Sequence, residues 1–390
     1  MKKILSNISE IIKKYDNIFL FVFCMIFSSV YVYAVPLYVS DELWNFSFVH
    51  KMVNGYTIYK DLNVIVTPLF HFIGTIVLKL FGDNYIIFRI YGIFILSSLF
   101  TVTYIFLKKA KIKRISAVTY ILILFAIINN YYSIGASYNF LCLTFVVIGL
   151  CLELNKDSYK NSFLKGIILF CIFMTKQNVF VLYSIALLIS YIIKIQQKEL
   201  KIKEFLNYII VVGISFLTPL FIFISYLCIN NIFNDFISYC FLGIGEFSNN
   251  NLHFEKLITG NILIILISLF LNIIIIKLKN KELEKARKIN IKILPFQIFM
   301  LGIAYPIVDS YHLICAEYIT IIMTVYNLHH MFIKNIFEQK KFYIINKIII
   351  CVITLFLVLF NGVYLYNHFM NSNIKINLMF LHIKILVFMK

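Results

Sequence analysis

The chain has 390 residues, 61% of them hydrophobic and only 14% charged. Soluble domains run near roughly 45–50% apolar, so this composition excludes a water-soluble globular protein and points to a polytopic membrane protein. The net charge of +18 would suggest nucleic acid in a soluble chain; here it follows from topology, because cytoplasmic loops collect Lys and Arg, and no nucleic-acid partner is expected.

Apolar runs able to cross a bilayer need about 20 residues. They predict spans over 17–37, 85–107, 115–132, 138–154, 205–229, 257–277, 293–309, 312–333 and 343–366. The first run is too long for a signal-peptide core and no small-residue cleavage site follows it, so it is expected to stay in the mature protein. The apolar region 163–194 is interrupted by Thr175-Lys176-Gln177-Asn178 and reads as two short spans joined by a polar turn. The fold class expected is therefore an all-α polytopic membrane protein with about 11 transmembrane helices. It reads as a single domain over 1–390, without a separate soluble domain. The eight cysteines are scattered with no CxxC or Cys/His spacing, and read as small core residues.

Six clusters, 1–14, 108–114, 156–165, 194–203, 277–292 and 334–347, hold 27 of the 36 Lys and Arg residues. If all six are cytoplasmic, the positive-inside rule is satisfied throughout. Neighbouring clusters must then be separated by an even number of crossings. This puts the N-terminus in the cytoplasm and predicts that 64–82 (VIVTPLFHFIGTIVLKLFG) lies along or partly within the outer leaflet. A true span there, with the charge rule broken, stays open as the alternative. The external segments are then 38–84, with Asp41, Glu42, Asp61 and peripheral helices; 133–137; the Lys176 turn; 230–256; and the tight turn from Asp309 to His312. The segment 367–390 ends outside or re-enters.

With the cytoplasmic clusters set aside, few ionisable groups remain. Asp41 and Glu42 follow the first span, Asp61 lies further along the same loop, and Arg89 begins the second span. Lys176 sits at a hairpin tip, and Asp309 and His312 flank the start of the tenth span. Acids and bases from five distant places thus meet one boundary, and such groups mark substrate paths. Plainer readings stand beside this one. Ser40-Asp41-Glu42 also reads as a helix cap, Arg89 as a snorkelling cation, Lys176 as a solvated turn residue and His312 as a core histidine. Trp44 and the nearby tyrosines fit an interfacial aromatic belt.

Three stretches carry a family resemblance: SDELWNFSFVHKMVNGYTIYKDLNVIVTPLFHFIGTIVLKLFGDNYIIFRIYG (40–92), FMTKQNVFVLY (173–183) and YPIVDSYHLICAEY (305–318). An Asp-Glu pair after the first span is followed by Gly55 to Tyr59 and Asp61, then Pro68 to Phe81-Gly82, then Arg89. This order resembles the GT-C integral-membrane glycosyltransferases, and more narrowly the bacterial relatives of protein O-mannosyltransferases and lipid A aminoarabinose transferase. In departure from many members, the second external loop (NNYYSIGASYN) carries no acidic residue, and the usual Pro-Pro pair is Thr67-Pro68.

The resemblance implies a polyprenyl-phosphate sugar donor, an extracytoplasmic acceptor, membrane lipids as surroundings, and inversion at the sugar. The chain would then be a multi-pass enzyme of a bacterial plasma membrane with its active site facing outside. Such a transfer needs a base for the acceptor hydroxyl and cations for the leaving phosphate. Asp41 suits the base and Arg89 the phosphate. Lys176 and His312 are secondary contacts to phosphate or sugar. Glu42, Asp61 and Asp309 orient hydroxyls or hold the cations. A divalent metal is compatible with such a site, but no His or Asp spacing demands one, and no cofactor is assigned. The competing readings are a transporter or flippase, a polysaccharide polymerase acting on lipid-linked glycans, and a non-catalytic membrane scaffold.

Overall fold

The computed structural model describes residues 15–34, 40–129, 136–243, 261–277, 283–305, 307 and 309–333. The predicted span 343–366, the segment 367–390 and the cationic clusters 1–14 and 334–347 lie outside the described residues. What is described is helical, without a named strand. In chain order the helices are α1 (Asp16–Ala34), α2 (Ser40–Val53), α3 (Leu69–Phe81), α4 (Tyr85–Lys109), α5 (Arg114–Asn129), α6 (Tyr138–Glu153), α7 (Tyr159–Phe173), α8 (Gln177–Gln196), α9 (Ile202–Ile229), α10 (Phe233–Ile237), α11 (Asn261–Lys277), α12 (Glu284–Phe299) and α13 (Ser310–Leu328).

Among the described residues, three helices are long and apolar enough to cross a membrane: α4, α8 and α9. Shorter apolar stretches occur in α1, α3, α5, α6 and α11. The run 64–82 forms a helix only over the 13 residues of α3. At about 1.5 Å per residue that is roughly 20 Å, short of the roughly 30 Å hydrocarbon core. Gly82 closes it with φ +117°, a conformation open to glycine and costly for other residues. Asn84 then caps α4 by accepting the Ile87 N–H at 2.9 Å, and Lys108 and Lys109 occupy its last turn, where cations suit the helix dipole. The cationic cluster 277–292 is helical over much of its length, because α12 begins at Glu284, well before the apolar run that suggested a span from 293.

The chain runs back and forth, so side-chain chemistry sorts to the two ends of the bundle. At one end Asp16 receives Lys108 at 2.7 Å and Arg114 at 3.2 Å. Glu153 and Asp157 there take Lys165 and Lys194 together, and Glu199 takes Lys292 at 2.7 Å. These ion pairs join four of the clusters read from the sequence. Two acids against two lysines leave the buried Glu153 centre balanced, as a buried ion pair requires.

Between the ends, helices meet through small residues and neutral polar groups. A Cβ on Gly166 of α7 would lie 1.9 Å from Ser215 Oγ and 2.4 Å from the Val212 carbonyl of α9. Small residues of this kind let helix backbones approach in a membrane. Gly166→Val is therefore expected to lower stability by about 1–3 kcal/mol, read as a fall in the apparent melting temperature of the detergent-solubilised chain. Gly213→Val, with open space around its Cα, serves as the control. Ser268 and Asn272 of α11, Asn290 and Gln297 of α12 and Asn327 of α13 form a buried ladder of hydrogen bonds, which fixes the mutual register of these three helices.

A smaller apolar cluster sits at the opposite end. Tyr59, Val64 and Val66 from the first loop pack there with Met174, Phe223 and Phe236. Tyr59 is buried at φ +69°, and its hydroxyl donates to the Val66 carbonyl at 3.0 Å. Gln177 Nε2 donates to the carbonyls of Ile65 and Cys240, and the Leu69 N–H donates to Met174 O at 2.7 Å. The first loop is thereby fastened to the turn between α7 and α8.

Candidate functional site

Asp41 and Glu42 are both in the first turn of α2, where acids complement the helix dipole. Successive residues on a helix differ by about 100° in direction, so the two carboxylates cannot serve one place. Glu42 turns inward and is 0% exposed. It accepts from Arg89 Nη2 at 2.9 Å and from the Tyr85 hydroxyl at 2.7 Å. The Arg89 guanidinium also lies 5.0 Å from the centre of the Tyr85 ring. Arg89, expected at the phosphate, is buried against Glu42 and neutralised there. Its geometry makes it a pin between α2 and α4.

Asp41 turns the other way, onto the surface. Enough protein surrounds its carboxyl for burial to raise its pKa; the charge of His312 pulls it down and that of Asp309 pushes it up. Asp41 thus feels the charges at the N-terminal turn of α13. Asp309 caps α13: its Oδ1 accepts the His312 backbone N–H at 2.8 Å and lies 2.9 Å from His312 Nδ1. A carboxylate only accepts, so the His312 proton on that side is assigned to Nδ1. Burial raises the Asp309 pKa, but the side-chain and backbone hydrogen bonds from His312 outweigh it and the net shift is downward. Asp309 therefore stays ionised and holds the imidazole in place.

Lys176, in the connection before α8, is the least compensated charge of the group. It is 4% exposed. Its Nζ donates to Asn139 Oδ1 and to the Ile303 carbonyl, both at 2.9 Å, and it lies 5.9 Å from the centre of the Tyr138 ring. An ammonium has three donors; the third has no partner among the described residues, and no carboxylate of the described residues pairs with it. The charge of Asp309 reaches it, yet burial dominates and lowers its pKa to about 8. Tyr138 in turn feels the charges of both Asp41 and Asp309. Asp41, Tyr138, Lys176, Asp309 and His312 thus form one electrostatic neighbourhood.

The Lys176 shift carries a stability consequence. The unfolded value is about 10.4. Between about pH 8 and that value the unfolded chain binds more protons than the folded one, so this group makes stability rise with pH across the window. The difference in melting temperature between the parent chain and Lys176→Met is expected to shrink from pH 8 upward, with the variant the more stable at pH 7.

The remaining expected residue, Asp61, lies apart. It is exposed and its Oδ2 accepts the Thr57 N–H at 2.7 Å, which closes a turn of the first loop. Residues missed by the sequence reading support the group from beneath. Asn139 holds Lys176. Asn45 donates to the Asp41 carbonyl at 2.8 Å and accepts from His71 Nε2 at 3.2 Å. Burial drives the His71 pKa down to about 3, so His71 is neutral. Ser137 and Tyr311 share a short hydrogen bond that joins α6 to α13. The signal for Asn139 was present, since a polar residue heads an otherwise apolar run there, but it reads equally as a helix cap.

Among the described residues no group of three or more His, Cys, Asp or Glu is arranged to hold a metal ion. The sequence matches no protein-family model, and no curated protein matches it significantly.

Proposed function

We propose that the chain is a membrane glycosyltransferase that moves a sugar from a polyprenyl-phosphate donor to an extracytoplasmic acceptor. It works in a bacterial plasma membrane, with about 11 spans, a cytoplasmic N-terminus and the Asp41 end of the bundle facing out. The observation that carries this reading is Lys176: a buried ammonium with, among the described residues, one donor unused and no carboxylate partner, reached by the charge of Asp309, which also acts on Asp41. Burying such a charge costs stability, and an anionic group of the substrate offsets that cost. The gathering of Lys108, Arg114, Lys165, Lys194 and Lys292 in ion pairs at the far end of the bundle supports the orientation.

In the transfer, Asp41 takes the proton of the acceptor hydroxyl as its oxygen bonds to the anomeric carbon. The bond from that carbon to the phosphate oxygen breaks on the opposite face, and its electron pair leaves with the phosphate. Lys176 stabilises the charge developing there. His312, oriented by Asp309, meets the phosphate or sugar oxygens. No proton is needed by the departing phosphate. The configuration at the sugar inverts. The test is purified chain in lipid vesicles given a labelled polyprenyl-phosphate hexose and an envelope extract as acceptor. Label is expected to leave the donor and appear in the extract; donor stable over hours for each hexose tried would count against the reading.

One observation favours a second reading, a flippase for lipid-linked sugars. Glu317, in the middle of α13, is 1% exposed, and neither carboxyl oxygen has a partner among the described residues. Ionisable groups at such positions occur in transport paths. Loss of lipid-linked sugar movement across vesicles in Glu317→Gln, with no transfer chemistry in the parent chain, is the result that reading requires.

A further inference from the structure

Trp44 is the only tryptophan in the chain. It lies three residues after Asp41 on α2, a spacing that makes the two side chains neighbours on one helix face. The opposite face of α2 is buried through Glu42, Asn45, Phe46 and Val49. Trp44 is 38% exposed. Phe48 meets its ring at 4.6 Å with the planes 74° apart. This contact fixes the indole and covers one of its faces at most. Asp41 adjoins the open face, and the charge of the 44% exposed Asp309 side chain acts on Asp41.

Phe48 borders the indole on one side, as it could border an interfacial anchor, but Asp41 borders it on the other. A flat, fixed aromatic surface beside two carboxylates matches a sugar instead: the C–H face of a pyranose lies on the ring, and its hydroxyls donate to the carboxylates. Resting on the functional reading above, we infer that Trp44 is the platform on which the sugar of the donor lies, and so a residue that sets specificity for the sugar and not for the lipid phosphate.

Because Trp44 is alone, intrinsic fluorescence reports on it without engineering. The parent chain and Asp41→Asn, each in lipid nanodiscs, are titrated with citronellyl-phosphate hexose and, separately, with citronellyl phosphate. The sugar-bearing probe is expected to shift and quench the emission, and citronellyl phosphate to leave it unchanged. Equal responses to the two probes, or none to either, overturn the inference. In that event strong quenching by brominated phosphatidylcholine would identify Trp44 as a membrane anchor. In transfer assays, Trp44→Leu is expected to raise KM for the donor roughly fivefold with kcat kept, and Trp44→Phe to recover most of that loss. An unchanged KM in Trp44→Leu also overturns it. The two failures are separable. A parent chain that leaves every hexose donor intact removes the functional reading, whereas a silent Trp44 in a chain that does transfer sugar removes this inference alone.

Discussion

Asp41→Asn is expected to fold as the parent chain does and to transfer sugar about 10²–10⁴-fold more slowly. The replacement is isosteric, and no hydrogen bond or ion pair of the carboxyl is lost among the described residues, so packing around it is kept. What it removes is the group proposed to accept the proton. The carboxyl sits where burial and Asp309 raise its pKa while His312 opposes them. Transfer in the parent chain should therefore rise with pH through a point above the usual carboxylate value of about 3.9. It should fall again near pH 8, where Lys176 loses its proton. Asp41→Asn should lose the rising limb of that profile. Initial rates of label transfer across pH 4–10, with melting temperatures taken on the same preparations, check both parts.

Glu42→Gln is expected to behave in the opposite way. The change is again isosteric and only one residue removed, but it takes away the carboxylate that neutralises Arg89 inside the protein. Breaking a buried pair from one side costs about 3–5 kcal/mol, and the variant should melt far below the parent or fail to reach the membrane in folded form. Replacing both charges, Glu42→Gln with Arg89→Met, should recover much of the loss, because an apolar substitute for the whole pair leaves no buried charge. A Glu42→Gln chain as stable as the parent would show that Arg89 does not depend on this contact. The two variants together assign neighbouring carboxylates to different tasks, one to chemistry and one to structure.

The helix pattern was legible in the sequence, because apolar length and charge position are what a bilayer constrains. The run from 85 becomes α4, and the polar interruption around Lys176 becomes the connection between α7 and α8. Asp309 stands next to the start of an apolar run in the sequence, and in the structure it caps α13. Side-chain direction was harder to read. Asp41 and Glu42 were treated as one pair, although a helix over Ser40–Val53 parts them by about 100°. Arg89 suits a phosphate because its guanidinium offers several donors in a fixed geometry. The same geometry serves a buried pin, and only the position of Glu42 tells the two apart. Asp61 looked chemical in its loop, yet its carboxylate is used by its own backbone. Asn139 does not stand out, because neutral polar residues at helix starts are common and its value depends on Lys176, 37 positions away in the connection before α8. The start of α12 was missed since charged residues continue a helix as readily as apolar ones; Lys288 and Glu284 even pair along it at 3.0 Å.

The account rests on distant segments meeting at one outward-facing place. Cysteines placed at Asp41 and Asp309, in a chain whose exposed Cys228 is replaced by Ser, test that directly. A short, membrane-impermeant bifunctional thiol reagent added to sealed cells is expected to bridge the two positions, and citronellyl-phosphate hexose to slow the bridging. No bridge, or a bridge formed only after the cells are permeabilised, would contradict the account.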